Sequence, residues 1–236
     1  MDMKENQPRF RTYFVLAVGF VGLALVSLLI DIPVAKSFRD KMIPGDLRKL
    51  LTLSEVFAHG LGVTAVLMAV WAVAVDQRRK LLRVACCAII PGTIVSLSKV
   101  LVARHRPHSF TELPDRVSAT FEGILPALQR HNWAATFDSD LQSMPSGHSA
   151  TAVGLAIGLS WLFPKGKWCF VGFAALAICQ RLDSGAHFPS DTFIGAAVAC
   201  LIAGRYLTTG WESRLFRRFE NRPTFLADDG EFRQTA

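Results

Sequence analysis

Met144-Pro145-Ser146-Gly147-His148 opens a stretch, SATAVGLAIGLSWLF, that runs without a charge to Phe163. Behind an ordinary helix start lies an apolar run close to the roughly 20 residues a helix needs to cross a hydrocarbon core. Arg181-x5-His187-x3-Asp191 repeats the arrangement, because its histidine precedes the next apolar run, Thr192 to Leu207. Both histidines therefore stand where a hydrophobic helix begins.

Working outward, the same pattern recurs along the chain. Thr12 to Ile30 carries no charge and no small-residue cleavage site follows it, which reads as an uncleaved anchor rather than a signal peptide. Val56 to Val75 follows, then Leu81 to Ala103, broken by Pro91-Gly92 and holding Arg83 and Lys99 near its two ends, a pattern that fits a kinked helix. Trp168 to Leu182 completes a set of six runs, with 51% of the 236 residues hydrophobic and a mean hydropathy of +0.31. The expected fold is all-α: one polytopic membrane domain built as a six-transmembrane-helix bundle. Gly154-x3-Gly158 marks a place where a neighbouring helix can approach closely.

Basic residues orient the bundle. The amino terminus (Lys4, Arg9, Arg11), the 76–83 turn, the 165–167 turn and the tail (Arg214, Arg217, Arg218, Arg222, Arg233) fall on one side by alternation, and that side is expected to be cytoplasmic. The opposing 31–52 segment also carries Lys36, Arg39, Lys41, Arg48 and Lys49, offset in part by Asp31, Asp40 and Asp46. This distribution accounts for much of the net charge of +7 and argues against a nucleic-acid partner. The cysteines Cys86, Cys87, Cys169, Cys179 and Cys200 lie in or beside apolar runs, so neither a disulfide framework nor a zinc motif is indicated.

With that alternation, the end of the third run, the start of the fourth, the end of the fifth and the start of the sixth all emerge on the outer face. Lys99, Arg106, His148, Arg181, His187 and Asp191 sit at those ends. Ionisable groups at membrane depth are costly enough to mark functional sites. Lys99 and Arg106 are about two helical turns apart, so they share a face if the helix persists.

Three cations and two imidazoles around one point suit phosphoryl transfer. Lys99, Arg106 and Arg181 would bind the phosphate dianion, the arginines through a planar fork that matches two oxygens. Ser146 and Gly147, at a helix start, would present backbone N–H groups, a hydroxyl and the positive end of the helix dipole. Asp191, four residues after His187, can accept an imidazole N–H and support attack, which makes His187 the nucleophile. His148 is then the general acid, and later the base for water. No metal or cofactor enters this scheme.

Each piece alone has a plain structural reading. Pro-Ser-Gly-His is a common helix start, Lys99 and Arg106 suit snorkelling anchors, and His187 to Asp191 suits a loop entering a helix with an acid in its first turn. Their coincidence on one face argues for a site. Arg104, His105 and His108 read as solvated or lipid-facing, His59 as a hydrogen-bonded buried histidine, and Asp183 as a partner of Arg181 or a group that steers substrate. The 111–143 segment, with Phe121, Ile124, Leu125, Leu128, Trp133 and Phe137 among charges, suits an interfacial amphipathic stretch or a packed loop equally.

Lys99-x6-Arg106-Pro107, Pro145-Ser146-Gly147-His148 and Arg181-x5-His187-x3-Asp191 resemble, in order, the three motifs of the type 2 phosphatidic acid phosphatase (PAP2) superfamily. The resemblance covers about 81–205, with 211–236 left as a basic cytoplasmic tail. It implies metal-independent hydrolysis of a lipid phosphate in a six-helix membrane bundle, with the roles given above. The third motif usually opens Ser-Arg, whereas Gln180 stands here, and an amide that can still donate implies altered phosphate contact rather than lost activity. The expectation is a membrane lipid phosphatase of the inner membrane, facing the periplasm and needing no protein partner. A lipid phosphotransferase would use the same residues. A non-hydrolytic binding or transport protein would need only the cations, and a soluble haloperoxidase with this motif pattern is disfavoured by the six runs.

Overall fold

The computed structural model describes residues 10–40, 43–124, 138–208 and 210–221. Each of the six apolar runs forms a helix, and shorter elements flank them. Helix α1 (Phe10–Ser27) leads into α2 (Asp31–Arg39) and α3 (Gly45–Ser54); a 3-10 turn, Glu55–Phe57, joins α3 to α4 (Gly60–Val73). After another 3-10 turn come α5 (Leu81–Ser98), strands β1 (Val102–Arg104) and β2 (Phe121–Ile124), then α6 (Gly147–Leu162), α7 (Lys167–Asp183), α8 (Pro189–Leu207) and α9 (Trp211–Glu220).

Among the described residues, three helices are long and apolar enough to cross a membrane: Phe10–Ser27, Val75–Leu101 and Pro189–Leu207. A fourth span results if the pair Gly45–Phe57 and Gly60–Val73, bent by 72°, is taken as one. Helices α6 and α7, at 16 and 17 residues, are shorter. Large apolar side chains such as Phe14, Leu25, Trp71, Leu97 and Trp168 are exposed along the helices. An apolar surface of this extent is that of an integral membrane protein.

Helix α6 is the centre of the packing: α5, α7 and α8 lie against it, α1 packs on α8, and α3 runs along α7. Small residues make these approaches possible, since Ala150, Ala152, Ala156, Ala196, Ala199 and Ala203 are all buried. A methyl group on Gly154 would meet the Cys87 carbonyl oxygen at 2.0 Å, so α5 and α6 touch backbone to backbone there. At one end of the bundle α9 is fastened to α5 by Arg83–Glu220 at 2.8 Å, with Arg83 stacked over Trp161 of α6. The opposite end gathers the C-termini of α5 and α7 with the N-termini of α6 and α8.

The fold is mostly helical, as expected, with one small addition: β1 and β2 pair antiparallel, with Val102 opposite Ile124 and a bulge between Ala103 and Arg104. One expectation needs correction. The third apolar run does not stay helical to Ala103: α5 runs unbroken through Pro91 but ends at Ser98, and Lys99 lies in a 3-10 turn. Lys99 and Arg106 therefore do not share a helix face. Strand pairing takes the intervening backbone, and Arg106, preceding Pro107, is extended with φ −77° and ψ 150°. Of the 111–143 segment, Leu125, Leu128, Trp133 and Phe137 lie outside the described residues, as do Lys4, Arg9, Lys41, Arg222 and Arg233 of the orientation argument.

Candidate active site

His187 lies in the link between α7 and α8. The chain turns at Gly185, whose φ of +65° favours glycine, and the Ala186 N–H bonds the Arg181 carbonyl. Pro189 then opens α8 at a position where a missing N–H costs nothing. Asp191, in the first turn, accepts the Phe188 N–H at 2.8 Å and fixes the entry of the chain into the helix.

His187 is buried, 3% exposed, and its Nδ1–H donates to the Ser143 carbonyl oxygen at 2.6 Å. The Asp191 carboxylate is 3.9 Å from the same nitrogen, too far for a hydrogen bond. The expected His187–Asp191 bond is therefore replaced by a relay: Asp191 Oδ2 accepts from the Ser143 hydroxyl at 2.6 Å, and the Ser143 carbonyl holds the imidazole. Either way the proton sits on Nδ1 and Nε2 keeps its lone pair. Burial pushes the imidazole well below its ordinary range, and the nearby charges of Lys99 and Arg106 act in the same direction.

Asp191 is held by a group that the sequence reading set aside. Arg104 is fully buried rather than solvated; it pairs with Asp31 at 2.6 Å and with Asp191, and it donates to Ser190 Oγ and Thr120 Oγ1. Phe121 and Phe188 face its guanidinium with centroids at 4.6 and 4.3 Å. Ser190 in turn donates its N–H and hydroxyl to Asp31. The signal available in the sequence was weak: Asp31 and Asp191 are carboxylates beside apolar runs, and buried carboxylates require a cation.

The expected phosphate ligands fare differently from one another. Arg106 is half-buried, with Nε out of solvent and lacking any hydrogen-bond partner among the described residues. Lys99 is half-buried and, among the described residues, has no carboxylate within ion-pair distance. Both are close enough for their charges to act on His187. Gly147 is the first residue of α6, where backbone N–H groups have no intrahelical acceptor. Ser146 is committed elsewhere: its N–H donates to the Asp191 carbonyl at 3.0 Å and its hydroxyl oxygen caps α6 by accepting from Ser149. It ties α6 to α8, contrary to the expectation that its backbone N–H is available to phosphate.

His148 is half-buried and faces the charges of Arg181, Glu55 and Lys99 and the ring of His59. His59 is exposed, not buried, and its ring centroid lies 6.2 Å from that of His148. Arg181 pairs with Glu55 at 2.7 Å and donates through Nε to Gln180. Asp183 is not its partner: it binds Arg48 of α3 at 3.1 Å. His105 pairs with Glu122 at 2.7 Å. Thus Lys99, Arg106, His148, Arg181, His187 and Asp191 come together at one end of the bundle, and Glu55, His59 and Arg104 join them. Among the described residues, no group of three or more His, Cys, Asp or Glu side chains is arranged to hold a metal ion.

A sequence model of the PAP2 superfamily matches residues 80–215, which takes in every motif residue above. Two curated relatives carry the name lipid A 1-phosphatase. One, from Rhizobium etli, is 26% identical over 210 residues, covering 80% of this chain and 81% of its own length. The other, from Rhizobium johnstonii, is 29% identical over 109 residues, covering 46% of this chain but only 39% of its own length. No solved structure matches. With a match across more than half its length, and with all three motifs gathered at one end of the bundle, the chain belongs to the PAP2 superfamily.

Proposed function

We propose that this protein is a membrane lipid phosphatase that removes a terminal phosphate from a lipid phosphomonoester or pyrophosphate through a phosphohistidine at His187. The observation that carries the reading is the convergence of Lys99, Arg106 and Arg181 with two imidazoles at the end of the bundle where α6 and α8 begin. His187 Nε2 attacks phosphorus as the bond to the lipid oxygen breaks, and the departing oxygen takes a proton from His148. Water then attacks the phosphorus of the P–N bond, gives its proton to His148, and inorganic phosphate leaves. The cations, with the first N–H groups of α6, neutralise the transferring phosphoryl group.

The buried Nδ1–H bond to Ser143 supports the nucleophile assignment, since it leaves the reacting nitrogen unprotonated. The scheme requires no metal. The names of the relatives make the 1-phosphate of lipid A the first substrate to test. On this reading the six helices in the apolar runs are six spans, and the site faces the periplasm from the inner membrane.

The test uses purified protein in detergent with EDTA and a panel of lipid A, phosphatidic acid, phosphatidylglycerophosphate and an isoprenyl pyrophosphate, with phosphate release measured for each. Release from at least one lipid that survives chelation is expected, with inhibition by vanadate. Activity lost on chelation and restored by Mg²⁺ or Mn²⁺ would refute the metal-independent scheme.

A further inference from the structure

We propose that Glu55 and Gln180 form a clamp that orients the Arg181 guanidinium for its oxyanion, making both positioning residues for phosphate transfer. The proposal rests on the functional reading above and adds to it a group from outside residues 80–215, where the family match lies.

The three side chains close a ring. Arg181 Nε–H donates to Gln180 Oε1, Arg181 Nη2 donates to Glu55 Oε1 at 2.7 Å, and Gln180 Nε2 donates to Glu55 Oε2 at 3.4 Å. Only this orientation of the amide gives Arg181 an acceptor and Glu55 a donor at once. A guanidinium has five N–H groups, and the clamp takes those on its Nε/Nη2 edge. The Nη1 end, with the second Nη2 hydrogen, remains for the two-point grip on phosphate that arginine makes best. The carboxylate therefore fixes the plane of the fork without taking the edge the substrate needs.

The ring also accounts for Gln180 in place of the usual serine. A serine hydroxyl ends two bonds short of the amide and could not span from Arg181 to Glu55. The turn that delivers Glu55 is firmly held, since Phe57 stacks on Phe173 of α7 with centroids 5.6 Å apart. One end of α3 is tied to α7 by Arg48–Asp183. The 55–57 turn packs on α7, and Glu55 reaches Gln180 and Arg181 near the C-terminal end of that helix.

The experiment is a double-mutant cycle on full-length protein in detergent. Glu55→Ala, Glu55→Gln, Gln180→Ala and Arg181→Ala, with the doubles in the Arg181→Ala background, are compared for kcat and KM of phosphate release from 1-phosphorylated lipid A and for vanadate affinity. Glu55→Ala and Gln180→Ala are expected to lower kcat/KM about tenfold and to weaken vanadate binding, Glu55→Gln to recover part of the loss, and neither alanine to cost anything further once Arg181 is gone. Wild-type values in Glu55→Ala and Gln180→Ala, or losses that add in full to that of Arg181→Ala, would overturn the clamp. A wild type that releases no phosphate counts against the functional reading alone, because vanadate affinity across the same variants still decides for or against the clamp.

Discussion

At His187 the chemistry turns on which nitrogen carries the proton. The Ser143 carbonyl takes the Nδ1–H, and burial with Lys99 and Arg106 nearby keeps the ring neutral well below the ordinary histidine value. In a histidine-labelled sample, assigned with His187→Ala, its ¹⁵N resonances should report the Nδ1–H tautomer and remain neutral as pH falls through about 6.5, where a free imidazole protonates. A midpoint at or above that value would remove the argument for a ready nucleophile. The same depression affects stability: the unfolded chain takes up this proton near pH 6.5 and the folded one does not. The group's contribution to stability is therefore complete above that pH and declines as pH falls toward the folded value. Arg104 gives a second prediction at this scale. Arg104→Met leaves the fully buried Asp31 and Asp191 without their cation, which should cost about 3–5 kcal/mol and appear as a large drop in detergent melting temperature. A variant as stable as wild type would show that those carboxylates are not held as charges.

Among the elements, the approach of α8 to α6 sets the site. A methyl group on Gly195 would lie 2.3 Å from the Ser146 carbonyl oxygen, next to the bond between the Ser146 N–H and the Asp191 carbonyl. Gly195→Ala should destabilise by about 1–3 kcal/mol and reduce turnover, whereas Gly22→Ala, with nothing within 4 Å, should do neither. Equal behaviour of the two variants would mean that the α6–α8 contact is not critical. The sequence made the helices and their motif-bearing ends legible because apolar runs and helix starts are local signals. It misplaced the end of α5 because β1 and β2 are too short to have a periodicity of their own and are defined by pairing with each other. The cation that holds Asp191 was missed for a related reason: Arg104 reaches partners 73 and 87 residues away, and no local pattern records such a bond. Glu55 escaped notice because it lies in a turn at the edge of an apolar run, where a carboxylate looks like a boundary residue.

For the whole molecule, the arrangement of ends matters most. The motif residues occupy one end of the bundle, and the basic turn at Val75–Lys80 and helix α9 the other, so sidedness is a single binary choice. With the native cysteines removed, a membrane-impermeant thiol reagent on intact cells should label a cysteine at the exposed Ser118 and not one at the exposed Lys165. The reverse pattern would place the site on the cytoplasmic leaflet while leaving its internal geometry intact. The central claim, that His187 carries the phosphoryl group during hydrolysis of a lipid phosphate, is tested most directly by phosphate release in EDTA from 1-phosphorylated lipid A and the other lipids of the panel. Wild type is compared with a folded His187→Ala variant. The account predicts release by the wild type from at least one lipid and none above background by the variant; substantial release by His187→Ala would contradict it.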